Sequence, residues 1–69
     1  MEKGHLKRFK CRLFMELPGG GVVPRLATNF MAENQGEADK MFVEIILADP
    51  LTAKFYAKGA TALCEEVDG

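Results

Sequence analysis

The most reactive side chains in this 69-residue chain are two cysteines, Cys11 and Cys64, and a single histidine, His5. A thiol beside an imidazole can lose its proton and attack an electrophilic centre. Cys11, however, lies on the inward side of an alternating stretch, where thiols are usually inert, and His5 belongs to a polar N-terminal segment. There is no serine, which excludes a Ser-His-Asp site built from one copy. Two cysteines this far apart are too few for a disulfide framework or a zinc knuckle. Both are expected to be buried, reduced thiols, and the chain is not expected to be an enzyme.

Gly19-Gly20-Gly21 is the next motif with chemical content. A phosphate cradle needs a Gly-rich loop that runs into a helix N-terminus, with Lys and Ser or Thr behind it. Val22-Val23-Pro24 follows instead and reads as a strand, so the glycines are expected to form a hairpin loop. The carboxylates Glu33, Glu37, Asp39 and Glu44 lack the spacing of a metal loop. They read as the solvated face of a helix. No metal and no cofactor is expected.

What remains is charge. The formal net charge is −1, yet it is unevenly spread. Residues 1–25 carry six basic side chains and two acidic ones, and residues 26–69 carry three basic and eight acidic. Such asymmetry can mark a nucleic-acid or membrane contact. It can equally mark a basic element packed beside an acidic one, within a chain or across a dimer.

The basic residues must be held by a strand. From Arg8 to Leu17 the apolar residues Phe9, Cys11, Leu13, Met15 and Leu17 alternate with mostly charged ones, Phe14 excepted. Strict alternation is the mark of a strand with one buried face. After Pro18 and the glycines, Val22 to Ala32 alternates in the same way. A four-residue loop at 18–21 would place Leu17 opposite Val22, Met15 opposite Pro24, Leu13 opposite Leu26, Cys11 opposite Thr28 and Phe9 opposite Phe30. A slip of one residue would turn one strand's apolar set outward. Pro24 lacks a donor N–H, which puts the second strand on a sheet edge. In this register Arg8, Lys10, Arg12, Phe14, Arg25 and Met31 share the outer face.

Asn34 suits a helix N-cap, and Glu37 three residues later completes a capping-box variant. Ala38, Met41, Phe42, Ile45 and Ala48 recur at helical spacing and are expected to cover the hairpin's inner face. Val43 and Leu47 lie on another side, with Ile46 between, so the helix is apolar on more than one side. Asp49-Pro50 ends this helix and can start another. Residues 50–58 are compatible with a short helix closed by Gly59, and also with a strand; the alanines favour the helix. Thr61 to Val67 reads weakly as a last strand.

The expected fold is therefore α+β in one domain over residues 1–69: a hairpin at about 7–32, a helix at about 34–48, a short helix or strand, and a C-terminal strand. Residues 1–6 and 68–69 are expected to be flexible ends. No apolar run approaches the ~20 residues that span a bilayer, and no membrane contact is expected. With a polar, basic N-terminus unlike a signal peptide, the expected location is cytoplasmic. In a chain this short, apolar burial and the cost of ordering nearly cancel, so self-association is expected.

The expected role is a non-catalytic protein–protein interaction module, a homodimer, that uses the outer hairpin face together with Val43 and Leu47. Cations interleaved with an exposed aromatic can also bind phosphates while a base stacks on the ring, so a nucleic-acid-binding β-ribbon is the second expectation. The strand–strand–helix–strand order also resembles the layout of small phage and mobile-element proteins that inhibit a host enzyme by binding it. That layout implies a foreign protein partner.

Overall fold

A computed structural model of the protein describes residues 6–67. Its elements are β1 (Lys7–Glu16), β2 (Val22–Ala32), α1 (Gln35–Ala48), α2 (Pro50–Ala57) and β3 (Thr61–Val67). Of the ends expected to be flexible, 1–6 and 68–69, all but the exposed Leu6 lie outside the described residues, and His5 with them. The strands form one antiparallel sheet in the order β2-β1-β3. Both helices lie on one side of it. Alternation along β1 drives Phe9, Cys11 and Leu13 fully into the space beneath them.

The β1–β2 register agrees with the sequence up to Leu13: Phe9 faces Phe30, Cys11 faces Thr28 and Leu13 faces Leu26. Beyond Leu13 it shifts by one, so that Phe14 faces Pro24 and Met15 faces Val23. The expected pairs Met15–Pro24 and Leu17–Val22 do not form. The cause is the loop, which is one residue shorter than expected. The Leu17 N–H donates to the Gly21 carbonyl at 2.8 Å, and the Gly20 N–H donates to the Leu17 carbonyl at 3.0 Å. Pro18 and Gly19 form the corner, and Gly20 takes φ +100°, which a side chain would resist. The missing loop residue is taken up as a β-bulge, with Arg25 and Leu26 together opposite Leu13.

The α1 N-terminus is capped as its sequence suggests. The Asn34 side-chain oxygen accepts from the Glu37 N–H at 2.9 Å, and the Glu37 carboxylate accepts from the Glu33 N–H at 2.7 Å. The stripe that meets the sheet is Ala38, Phe42 and Ile46, spaced by four, with Met41 at its margin. Ile45 and Ala48, expected in that stripe, are exposed, and Ile46 is core instead. Residues 50–57 are helical: Asp49 caps the Leu51 N–H at 3.0 Å, and Gly59 with φ +108° follows the end. At the junction the buried Thr52 hydroxyl donates to the Ile46 carbonyl at 2.6 Å, tying α2 to the end of α1.

The cysteines depart from expectation. β3 pairs with β1 so that Cys64 stands directly opposite Cys11, and the two form a disulfide. The reduced-thiol expectation is corrected here: the weak last strand had no assigned neighbour in the sequence, so nothing placed Cys64 beside Cys11. The bond is sealed in the core, with Cys11 0% and Cys64 4% exposed. It joins the central strand to the C-terminal edge strand across 53 residues of chain.

Candidate interaction surfaces

The outer face of the sheet is open to solvent. β1 places Arg8, Lys10, Arg12 and Phe14 along its middle row, as the alternation requires. Met31, Asn29 and Ala27 flank them on β2, and Val67, Glu65 and Leu63 flank them on β3. Arg12 reaches Glu65 at 3.6 Å, and its guanidinium lies 5.8 Å from the centre of the Phe14 ring. Both ends of the ion pair are about half exposed, so it is worth at most about 1 kcal/mol. Glu65 also stands opposite Lys10. The face is thus a row of three cations answered by Glu65 and Glu16. Sequence reasoning missed Glu65 for the same reason it missed the disulfide: β3 had no assigned place beside β1.

Arg25 is not on this face. The bulge turns it to the helix side, where its guanidinium sits 5.8 Å from the centre of the Phe55 ring on α2. The expected four-cation outer face is corrected to three. The bulge also leaves a shallow apolar depression of about 420 Å³ on the sheet, lined by Arg12, Phe14, Val22, Pro24 and Ala27 among others.

Met31 is exposed on the outer face, as expected. Val43 and Leu47, expected to work together, are separated by the packing. Val43 is half-buried and lines a groove with Phe42, Tyr56, Ala62 and Leu63, between the helices and β3. Leu47 is 56% exposed. At the helix end of this groove, the Gln35 side-chain amide donates to the Cys64 carbonyl at 2.8 Å and to the Asp39 carboxylate at 3.0 Å.

One surface was not singled out in the sequence. β3 pairs with β1 only as far as Phe14, so the hairpin runs on without a third strand. This arm helps stretch the molecule to 48 Å against 24 and 15 Å in the other directions. From Leu13 to Pro24 the only charged residue is Glu16. Leu17, Val22 and Val23 are 45, 55 and 41% exposed there. The signal was present in the sequence as an uncharged stretch on both sides of the turn.

Among the described residues no three His, Cys, Asp or Glu side chains come together as a metal site. No helix among them is long and apolar enough to cross a membrane. Comparison with protein-family models finds no match, and comparisons with curated proteins and with solved structures find none either.

Proposed function

We propose that this chain is a non-catalytic protein–protein interaction module that acts as a homodimer. The observation that carries the reading is the one-sided cover of the sheet. Helices shield one face over half the hairpin's length, and the projecting arm keeps Leu17, Val22 and Val23 in water. Exposed apolar surface of this kind, rimmed by charge at Arg12 and Arg25, is the ordinary mark of a contact site. Sedimentation equilibrium tests it. A dimer mass at tens of micromolar supports the reading, and a monomer mass that persists at millimolar concentration removes the homodimer.

The row Arg8, Lys10 and Arg12, with Arg12 over Phe14, favours a second reading, a nucleic-acid-binding ribbon. Glu65 and Glu16 on the same face weigh against it, because each repels phosphate within a Debye length of about 8 Å. Titration with short single- and double-stranded oligonucleotides separates the two. Micromolar binding that falls steeply with salt would favour the ribbon. A foreign protein target, of the kind met by small phage inhibitors, would use the same open face. It becomes the leading reading if the chain is monomeric and binds no oligonucleotide.

A cytoplasmic location belongs to this proposal, and the cysteine pair supplies its test. Cytosolic thiols are kept reduced, whereas disulfides persist in oxidising compartments. Acid-quenched alkylation of freshly lysed cells reads which form the protein holds, and a fully oxidised pair would overturn the cytoplasmic placement.

A further inference from the structure

We propose that two copies of this chain join through the free edges of β2, in antiparallel register centred on Asn29, to make one six-stranded sheet. The inference rests on the reading of the chain as a self-associating module and gives that module its interface.

The ladder geometry fixes which backbone groups are free. The Cα atoms of Cys11 and Cys64 are 3.9 Å apart, the close spacing of a pair that exchanges no backbone hydrogen bonds. The Cys11 N–H and C=O therefore point the other way, to Thr28 on β2. Alternation then assigns the β2 groups: Leu26, Thr28 and Phe30 bond to β1, while Ala27, Asn29 and Met31 point their N–H and C=O groups outward. Pro24 fits the same count, since it faces Phe14 at a position whose missing N–H would point outward. Among the described residues nothing else bonds to Ala27, Asn29 or Met31. The other edge is different: at its middle, the Gln35 amide already holds the Cys64 carbonyl.

Exposed edges are normally blunted by charge, proline or a bulge. β2 has its proline and its bulge at Pro24 and Arg25, but the seven residues from Leu26 to Ala32 carry no charge and no proline. With Asn29 on the two-fold axis, Asn29 pairs with its own copy, and Ala27 pairs with Met31 at each end. Every outward backbone group of the stretch then finds a partner. A shift of two residues would set Met31 against Arg25 at the bulge, or Ala27 against Glu33 beyond the strand. In the centred register the paired stretch ends at each side where the bulge of one copy meets the end of β2 in the other, so neither Arg25 nor Glu33 interrupts it. On the inner face, Thr28 and Phe30 of the two copies become neighbours, and both are only half-buried in one chain.

Two measurements on the full chain test this. Amide hydrogen exchange followed by NMR should show slow exchange at Ala27, Asn29 and Met31 in the wild type at concentrations where it is dimeric. These N–H groups have no partner within one copy, so only the interface can protect them. In Asn29→Lys, two ammonium groups would meet on the axis. The mass should fall to that of a monomer, and those three amides should exchange fast while Thr28 and Phe30 stay slow, which shows that the hairpin is intact. A wild-type dimer with fast exchange at Ala27, Asn29 and Met31, or a dimer that survives Asn29→Lys, overturns the edge interface but leaves self-association standing through another surface. A wild type that is monomeric at tens of micromolar and above overturns both.

Discussion

The two ends of the hairpin obey one alternating pattern and meet opposite fates. At the end shared with β3, every inward residue of β1 is closed off by the helices, from Phe9 to Leu13. At the other end the same pattern continues through Met15 to Leu17, and Leu17 is nearly half exposed. Nothing in the side chains distinguishes Leu13 from Leu17. The difference is cover. β3 stops opposite Phe14, and the buried core takes in β1 only as far as Leu13, with Met15 at its edge. Alternation thus states which face of a strand seeks burial, while the lengths of the other elements decide how much of it is granted within one chain. The remainder stays exposed to solvent.

That contrast can be broken or sharpened by substitution. The largest effect is expected at the covered end from removing the disulfide. In the loop-entropy account, a cross-link spanning 53 residues contributes about 4 kcal/mol. A domain of this size has only ~3–10 kcal/mol of stability in all. Cys11→Ala with Cys64→Ala should therefore bring the guanidinium midpoint close to zero, and a loss below about 1 kcal/mol would contradict the assignment. Next comes the matched pair of leucines. Leu13→Ala should cost about 3 kcal/mol, as a fully buried leucine does, and Leu17→Ala less than about 1 kcal/mol. Equal costs by denaturant titration would mean that the arm is covered after all.

A smaller change is expected at the tip, where Gly20→Ala forces a side chain into φ +100° at about 1 kcal/mol. A Gly20→Ala variant that unfolds at the wild-type denaturant midpoint would contradict the positive φ at Gly20. Smallest is Arg25→Ala. Loss of a partly exposed contact with Phe55 should cost about 0.5 kcal/mol, readable in a double-mutant cycle with Phe55→Leu. A coupling of zero would return Arg25 to the outer face.

Much of the fold was legible in the sequence. The strands and their register through residues 7–13 and 26–32 follow from alternation, and the first helix follows from Asn34 and Asp49-Pro50; residues 50–58 alternate as a strand would while their alanines and Gly59 suit a helix, and the structure has the helix. What escaped is what depends on one residue of slack or on a distant neighbour. The loop could close with three residues or four, and only the three-residue closure demands a bulge. Placing Gly20 at positive φ is the one local hint for it. The bulge then carried Arg25 to the wrong face. The disulfide and Glu65 escaped together, because both depend on β3 lying beside β1 rather than beside β2. The helix stripe was misread by one position because Ile45 and Ile46 are equally apolar; spacing by four from Ala38 and Phe42 selects Ile46.

The Cys11–Cys64 bond also changes what a cut in the chain can do. It closes residues 11–64 into a covalent ring that contains the arm, both helices and all of the turns. Gly19 and Gly20 at the tip of the arm are exposed, the kind of site where proteases nick. A single nick there would release no fragment. The protein would keep its mass on a non-reducing gel and fall into two pieces only after a reductant is added. Samples with a severed tip would thus pass for intact protein on a non-reducing gel, although the arm had lost its turn.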